Sequence, residues 1–355
     1  MDPYTSLFRD TILSAKSREA SDIHVQPTRE GIDIRFRVHG DLITWKKLGI
    51  EHRRPLINEI KRLTNLSIAV SGKAQDGRIS YQAWQLDLRS SLLPSQYGEK
   101  IVLRLLDLTR KFELSSLGFD SETYNDLTSA LSVKNGVLII SGPTGSGKTT
   151  TLYTLLCAID RYSKNIITLE DPIEYGIPGL TQVQISKKLT FADALRAVLR
   201  QDPDVILVGE IRDNETADLC VKAAATGHFV LSTLHANGAA EVVTRLLNLG
   251  VDAHLLKSVL RFSAAQRLVK RLCPKCSKVH PEDPQWKQRS TEGCTHCHQG
   301  IIGRLPVLEY MKSKQITDFL STSHPEPQLT ISLKESALNR AKKGEIDYDE
   351  AFYME

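Results

Sequence analysis

The stretch SGPTGSGKTT at residues 141–150 has the residue types and spacing of a loop that binds nucleotide phosphates. It matches the pattern G-x-x-x-x-G-K-[ST], follows the apolar run GVLII and leads into the helix-forming run KTTTLYTLLCAI. Backbone N–H groups of such a loop surround the β-phosphate, while Lys148 would bridge the β- and γ-phosphates and Thr149 would bind Mg²⁺. The residues predicted to bind ATP are Gly142, Pro143, Thr144, Gly145, Ser146, Gly147, Lys148, Thr149 and Thr150.

Acidic residues follow two other apolar runs. Glu170, Asp171 and Glu174 lie at or after the end of NIITLE, and Glu210 follows DVILVG. In an open α/β sheet the ligand lies at the carboxyl ends of the strands, so both acidic groups should face the γ-phosphate. One carboxylate should hold hydrated Mg²⁺, and another should orient or deprotonate the attacking water. The residues alone do not assign these two roles.

Two histidines bracket a further apolar run, HFVLSTLH. His228 precedes the run and His235 ends it, so His235 is expected on the ligand side of the sheet. A neutral imidazole there could donate a hydrogen bond to a phosphate or relay the state of the γ-phosphate to a neighbouring subunit. A histidine with a purely structural role is the alternative.

Four of the six cysteines form two C-x-x-C pairs, Cys273 with Cys276 and Cys294 with Cys297. The distance between the pairs is typical of a tetracysteine zinc ribbon. Four thiolates close a tetrahedron with no open position, so the predicted Zn²⁺ is structural and not catalytic. A redox pair or free thiols are the alternatives.

Two domains are predicted to position these groups. Residues 1–106 alternate strand-like runs such as GIDIRFRV with polar helices such as RRPLINEIKRL, which indicates a small α+β domain. Residues 107–118 are polar with weak periodicity and are predicted to be a linker. Residues 119–355 contain four apolar runs followed by helical segments, which indicates an α/β fold with a mainly parallel sheet, and 273–297 form a metal-binding insertion.

One helix of the second domain has a clear start. Thr190 can cap it, and Asp193 stands three residues later, which is the spacing of a capping box. The sequence therefore predicts a helix from Phe191 to Gln201.

The composition is typical of a globular protein, and it does not indicate a strongly charged partner such as nucleic acid or an anionic membrane. The 355 residues carry a formal net charge of +4 from 46 basic and 42 acidic residues, so direct binding to nucleic acid is not expected. Apolar runs such as 137–140 and 205–208 are far shorter than the roughly 20 residues that span a bilayer. No signal peptide is recognised before Ser6, and the chain is expected in the cytoplasm.

Taken together, four stretches resemble the motifs of the type II secretion and type IV pilus ATPase family. GPTGSGKTTTLYTLL resembles its Walker A motif, LEDPIEY its Asp box, LRQDPDVILVGEIRDNETA its Walker B motif, and ATGHFVLSTLHAN its His box. ASDIHVQP and QDGRIS, with the strands around them, resemble its second N-terminal domain. The resemblance implies a RecA-like P-loop ATPase domain, preceded by a small PAS-like α+β domain and carrying a zinc-ribbon insertion.

The resemblance also implies roles for single residues. Glu174 would be the general base, Glu210 the acid on the Mg²⁺ side, and His228 and His235 the His box. These roles choose between the alternatives that the residues alone leave open.

Arginines gain a role only through the resemblance. Arg89 in DLRSS and Arg104 in VLRLL match positions where the N-terminal domain folds over the nucleotide and touches the γ-phosphate. Arg196 and Arg200, four apart on the predicted helix, and Arg212, just after the Walker B glutamate, resemble subunit-contact and finger arginines. A guanidinium at the γ-phosphate can stabilise transition-state charge and sense hydrolysis. A surface salt bridge is the alternative for each.

The tetracysteine loop marks the assembly branches of this family rather than the retraction branch. The resemblance implies a homohexameric ATPase at the cytoplasmic side of the inner membrane, where it drives a platform protein and powers assembly of a type IV pilus or a type II secretion pseudopilus. The alternatives are a retraction motor, a DNA-translocating secretion ATPase, and a nucleotide-gated scaffold with little turnover. Few residues precede ASDIH, where assembly ATPases commonly carry a further docking domain. The chain is therefore similar to the short competence-type forms, and docking through another route is the alternative.

Overall fold

The computed structural model describes residues 2–321 and 327–354. The chain divides into two compact units, Met1–Lys111 (unit 1) and Phe112–Glu355 (unit 2). This division falls inside the segment 107–118 that was expected to link the domains. Leu114–Leu117 form a 3₁₀ helix, and both of its leucines are buried in the core of unit 2. The second half of the expected linker therefore belongs to unit 2.

Unit 1 is an antiparallel sheet with two helices, and its sequential elements are helix α1 (Pro3–Ser17), strands β1 (Ala20–Pro27), β2 (Gly31–Val38) and β3 (Asp41–Gly49), a 3₁₀ helix (Ile50–His52), helix α2 (Arg53–Leu63), strand β4 (Gln75–Tyr81), a 3₁₀ helix (Gln82–Trp84), and strands β5 (Leu86–Ser95) and β6 (Gly98–Asp107). Among the described residues, the strand order is β3-β2-β1-β6-β5-β4 with every neighbouring pair antiparallel. Alternate residues of β2, such as Ile34 and Phe36, are buried and pack with Ile12 of α1 and Leu56 of α2. The α+β prediction for this region agrees with the period of two in its strands.

Unit 2 is built around a larger sheet, and its sequential elements are helix α3 (Ser121–Leu131), strand β7 (Gly136–Ser141), helix α4 (Lys148–Ala158), strands β8 (Ile166–Glu170) and β9 (Thr181–Gln184), helix α5 (Phe191–Val198), strand β10 (Val205–Val208), helix α6 (Asn214–Ala225), strand β11 (Phe229–Leu234), helices α7 (Ala239–Asn248) and α8 (Ala253–Val259), strands β12 (Leu260–Leu272), β13 (Lys278–Val279), β14 (Lys287–Gln288) and β15 (Ile301–Lys312), and helices α9 (Ser313–Ser321), α10 (Leu333–Lys342) and α11 (Tyr348–Phe352). The part of the chain that the structure describes contains a sheet of order β15-β12-β7-β11-β10-β8-β9. Its neighbouring strands are parallel except for β12 and β15. The prediction of an α/β fold with a mainly parallel sheet is confirmed.

Both faces of this sheet are covered, as its continuous apolar strands require. In β7, Val137 and Ile139 join one buried cluster, whereas Leu138 and Ile140 join another. Successive side chains of a strand point to opposite faces, so the two clusters lie on opposite sides of the sheet. The phosphate loop therefore follows a strand that is held from both sides.

Helix α5 begins where it was predicted to begin but ends earlier. The hydroxyl of Thr190 accepts the N–H of Asp193 at 3.1 Å, and the helix spans Phe191–Val198. The N–H of Arg200 donates instead to the carbonyl of Ala197, which is the shorter bond of a turn. The predicted end at Gln201 is therefore wrong, and Arg200 lies beyond the helix that carries Arg196.

The helices of residues 2–321 and 327–354 include none that is both long enough and apolar enough to cross a membrane.

Candidate nucleotide site and tetracysteine cluster

The predicted phosphate loop lies at the carboxyl end of β7, in the middle of the sheet. Residues 142–147 connect this strand to α4, which begins at Lys148. Gly142, Gly145 and Gly147 have φ angles of +140°, +82° and +85°, which side-chain-bearing residues rarely adopt. The free N–H groups at the start of an 11-residue helix complete a backbone that fits an anion.

Strand β12 lies directly against this loop through Gln266, which is fully buried. Its side-chain amide donates to the carbonyl of Ser146 at 2.6 Å, and its amide oxygen accepts the hydroxyl of Thr151 at 2.8 Å. A Cβ atom on Gly142 would lie 2.5 Å from the Gln266 carbonyl oxygen, and one on Gly147 would lie 3.0 Å from its side-chain nitrogen. These glycines therefore permit the close approach of β12. The sequence offered no signal for Gln266, because it did not identify β12 as the neighbour of β7.

Lys148 is bound to its own loop in this structure. Its ammonium donates to the carbonyl oxygens of Gly142 at 2.7 Å and Pro143 at 3.0 Å. Burial lowers the pKa of Lys148, while the nearby Glu210 carboxylate opposes this shift and Arg267 adds to it. Lys148 and Glu210 therefore share one electrostatic environment, and phosphate oxygens could replace the carbonyl oxygens that the ammonium now binds.

Glu210 is the centre of an ionic group at the ends of β10 and β11. Its side chain is 16% exposed, one of its oxygens accepts a hydrogen bond from Arg212, and the other lies 3.7 Å from Nε2 of His235. The hydrogen bond to Glu210 raises the pKa of Arg212, and Asp171 contributes to this shift. The structure thus brings Glu210, Arg212 and His235 together from two strand ends, and the charge of Asp171, after β8, acts on the same group.

The acidic residues after β8 have different surroundings. Glu170 is 4% exposed, and its carboxylate accepts hydrogen bonds from the hydroxyl groups of Tyr153 and Thr168 and from the amide of Gln182. Burial and the hydrogen bond to Glu170 raise the pKa of Tyr153. Glu174 is half-buried, and its backbone N–H donates to the Tyr153 hydroxyl at 3.3 Å. Glu170 is therefore an internal hydrogen-bond acceptor, and the segment carrying Glu174 is attached to α4.

His228 lies at the amino ends of the parallel strands, whereas the phosphate loop lies at their carboxyl ends. Its carbonyl accepts the N–H of Gly136, the first residue of β7, at 3.2 Å, and its Nδ1 lies 2.9 Å from the carbonyl oxygen of Ala223. A strand of six residues separates the two ends by about 20 Å. Within this chain His228 is therefore not brought to the loop, although its position in the sequence is close to that of His235.

Arg196 and Arg200 have partners outside the phosphate loop. The guanidinium of Arg196 donates to Asp193 at 3.1 Å and to Glu215. Arg200 donates to the main-chain carbonyl of Arg196 at 2.9 Å. Of the three arginines expected to act as subunit-contact or finger residues, the structure brings Arg212 to the candidate site.

Arg89 and Arg104 lie side by side in unit 1. They are directly opposite each other on the antiparallel strands β5 and β6, so their side chains share one face of that sheet. Together with Asp22, Asp76 and Arg78 they line an open depression of about 560 Å³. Arg104 donates to Asp22 at 3.1 Å. The role expected for the two arginines at the nucleotide stays a prediction.

The sulfur atoms of the predicted metal ligands converge. The Sγ atoms of Cys273, Cys276, Cys294 and Cys297 all lie within 4.8 Å of one another, with 3.8 Å between Cys273 and Cys294 and 3.6 Å between Cys276 and Cys297. Zn–S bonds of about 2.3 Å in a tetrahedron separate the sulfur atoms by about 3.8 Å. The N–H of Cys294 also donates to Sγ of Cys297 at 3.1 Å. The donor set and its spacing fit a structural Zn²⁺ ion.

The segment between the cysteine pairs packs against the end of the chain. The rings of Trp286 and Tyr348 are stacked with centroids 4.6 Å apart, and the buried His280 lies 3.5 Å from the Asp349 carboxylate. The N–H of Arg289 donates to Asp347 at 2.6 Å. The cluster is therefore connected to α11 by apolar and polar contacts.

Comparisons with known proteins place the chain in a family. The family model described as "Type II/IV secretion system protein" matches residues 1–350. The chain is 43% identical over 327 residues to the putative type II secretion system protein E of Escherichia coli K12. This alignment covers 87% of this chain and 66% of that protein. It is 39% identical over 331 residues to the type IV pilus assembly ATPase PilB of Myxococcus xanthus, covering 87% and 58% respectively.

Solved structures show the same fold. The ATPase DotB of Legionella pneumophila matches with a TM-score of 0.76 at 21% identity, covering 98% of this chain and 94% of that chain. The pilus retraction motor PilT, solved with bound ADP, matches with a TM-score of 0.70 at 25% identity, covering 96% and 95%. The chain spans two thirds or less of the length of the two curated relatives named above. Because the family match extends over nearly all of its residues, the protein belongs to the type II/IV secretion system protein family.

Proposed function

We propose that the protein is an ATPase that powers assembly of a type IV pilus or of a type II secretion pseudopilus. The observation that carries the proposal is that the phosphate loop and Glu210 follow the carboxyl ends of β7 and β10, two parallel strands of one sheet separated only by β11, and that the Glu210 charge acts on Lys148. A cation for phosphate and a carboxylate for the metal side are the two charges that this chemistry needs at one sheet edge. Relatives named for type II secretion and pilus assembly support the cellular role.

ATP binds at the amino end of α4 in this proposal. The N–H groups of residues 145–149 and the positive end of the helix dipole receive the β-phosphate. The ammonium of Lys148 exchanges the carbonyls of Gly142 and Pro143 for phosphate oxygens. Because the side chain is half-buried and already bound to two carbonyl oxygens, part of its hydration is lost before the nucleotide enters.

The acidic residues have two separate roles in this proposal, metal binding and activation of water. Mg²⁺ would be held by the hydroxyl of Thr149 and, through water, by Glu210, since oxygen atoms are the ligands it prefers, and it would neutralise phosphate charge. Glu174 orients and deprotonates the attacking water, because Glu170 already has its oxygens bound by internal donors. Arg212 and His235 hold Glu210 in place. Arg89 and Arg104 add positive charge for the γ-phosphate.

The tetracysteine cluster has a structural part in this proposal. It holds Zn²⁺ with four sulfur ligands and no open position, so it stabilises the insertion and takes no part in hydrolysis. The protein acts as a homo-oligomeric ring, a hexamer, on a platform protein of the inner membrane. Membership of the secretion family supports this arrangement.

Steady-state phosphate release tests the enzymatic proposal. Lys148→Ala should abolish ATP binding, whereas Glu174→Gln should retain ATP binding and lower kcat about 10²-fold to 10⁴-fold, because a general base contributes that much. Equal rates for the wild-type protein and Glu174→Gln would remove Glu174 as the base. A wild-type protein that binds ATP without turnover would instead be a nucleotide-gated scaffold.

The direction of filament movement needs a cellular test. Identities of 39–43% to proteins named for type II secretion and pilus assembly, against 25% to the retraction motor, favour assembly. Cells producing Lys148→Ala should therefore lose filaments, whereas an excess of filaments would indicate retraction. ATPase stimulation by DNA that falls steeply with salt would indicate a DNA-translocating motor.

A further inference from the structure

A buried hydrogen-bonded network joins the helix after the phosphate loop to the segment that carries Glu174. Its members are Tyr153 of α4, Glu170 at the end of β8 and Gln182 of β9. Tyr153 is fully buried and Glu170 is 4% exposed. Gln182 is half-buried, so the network has a buried centre at Tyr153 and Glu170 and reaches toward the surface at Gln182.

Glu170 is the common acceptor of the network. Its Oε2 atom accepts the hydroxyl of Tyr153, and its Oε1 atom accepts the hydroxyl of Thr168 at 2.5 Å and the amide of Gln182 at 3.0 Å. A carboxylate can only accept, so these donors fix its orientation and offset the cost of burying its charge. The group is thereby unavailable to activate water.

The other ends of the network hold the main chain around Glu174. The N–H of Glu174 donates to the Tyr153 hydroxyl at 3.3 Å. The Gln182 amide donates to the carbonyl of Tyr175 at 2.9 Å and accepts the N–H of Ile177 at 2.7 Å. Residues 174–177 are thus attached, through Tyr153 and Gln182, to the same buried carboxylate.

Aromatic rings pack around the Tyr153 end of the network, where the bond from Tyr153 to Glu170 is buried. The ring of Phe112 meets Tyr153 and Tyr175 edge to face, with centroids 5.4 and 5.3 Å apart. Tyr153 and Tyr175 themselves meet at 6.2 Å in the same geometry. Hydrogen bonds in such a low-dielectric setting are strong and directional.

We propose that Tyr153, Glu170 and Gln182 are positioning residues that set the place of Glu174 relative to the phosphate loop. This inference rests on the proposed function, because it assigns the network a role in hydrolysis. Tyr153 lies five residues after Lys148 on the same helix, α4. The network therefore fixes the position of the base, Glu174, relative to the helix that binds phosphate. A base displaced by about 1 Å can lose on the order of 10²-fold in rate.

The test compares two tyrosines that differ in what their hydroxyl groups hold. Tyr310 is also fully buried and donates to a carboxylate, that of Asp126 at 2.9 Å, and burial with this bond raises the pKa of Tyr310, as for Tyr153. Each Tyr→Phe change therefore removes a buried hydroxyl of similar environment. Tyr153→Phe should lower kcat at least about 10-fold and leave the KM for ATP within about two-fold. Tyr310→Phe should leave both parameters at the wild-type values.

Equal kcat values for Tyr153→Phe and Tyr310→Phe would overturn the inference. A second variant, Gln182→Met, removes the bonds to Glu170, Tyr175 and Ile177 while nearly keeping the side-chain volume. It should reproduce the loss of kcat with KM retained, and an unchanged kcat would again overturn the inference. A wild-type protein without turnover would contradict the proposed function itself, so the two failures can be told apart.

Discussion

The tetracysteine cluster and the phosphate loop of unit 2 differ in what surrounds their functional groups. In the cluster, the sulfur atoms of Cys276 and Cys297 lie 3.6 Å apart, already at the spacing that a tetrahedral metal imposes. In the loop, Lys148 is bound to the carbonyls of Gly142 and Pro143. The cluster thus has the donor atoms and the spacing of a metal site, whereas the Lys148 ammonium of the loop is bound by carbonyl oxygens that phosphate oxygens could replace.

The two sites also draw on different parts of the chain. All cluster ligands lie between Cys273 and Cys297, within one short insertion. The phosphate loop is hydrogen-bonded to Gln266 of β12, and the charge of Glu210 acts on Lys148. Both Gln266 and Glu210 are far from the loop in the sequence. A locally encoded site should therefore fail when one ligand is removed, whereas an assembled site should respond in graded steps.

Removal of a metal ligand should have the largest effect. Cys297→Ser should abolish the binding of about one Zn²⁺ per chain, because structural zinc sites supply on the order of 10 kcal/mol only when all four ligands are present. Metal analysis and thermal unfolding would measure the change. Cys157→Ser is the matched control, since Cys157 is a half-buried thiol outside the cluster. Equal zinc contents in the two variants would contradict the assignment of the site.

A change in the loop backbone should come next. In Gly142→Ala, the new Cβ would lie 2.5 Å from the Gln266 carbonyl at a φ of +140°, so ATP affinity should fall about 100-fold. Gly227→Ala is the control, because Gly227 also has a positive φ, +114°, but its Cβ would meet no atom within 4 Å. Titration with a fluorescent ATP analogue would measure both. If the two variants bind ATP equally well, the contact with β12 does not shape the loop.

The smallest effect is expected at the histidines. His235→Ala removes a partner of Glu210 and should lower kcat about 10-fold, as the loss of such supporting groups commonly does. His228→Ala should leave kcat within about two-fold, because His228 lies at the opposite end of the strands from the phosphate loop. Steady-state ATPase assays on both variants decide the matter. A larger loss for His228→Ala would show that the single-chain placement of the site is incomplete.

Much of the sheet of unit 2 was predictable from the sequence. Strand β12 was not, and the reason is physical. The runs GVLIIS and HFVLSTLH gave β7 and β11, because short, β-branched apolar runs are typical of parallel strands that are covered on both faces. Strand β12 begins with the run LRFSAAQRL, in which small, polar and charged residues break the apolar pattern. Its place beside β7 depends on pairing with residues more than 100 positions away, which no local pattern reveals.

The phosphate-loop motif and the tetracysteine motif can be recognised in the sequence alone, because both depend on residue types at short covalent spacing. Only the tertiary structure decided which acidic residue after β8 is internal, since Glu170 meets Tyr153 and Gln182 through packing of separate elements. The separation of His228 from His235 was already indicated by their positions on either side of one apolar run, and the structure agrees, because β11 places its two ends on opposite sides of the sheet. Local spacing encodes the groups within one segment, whereas the folding of distant segments decides which groups meet and which are buried.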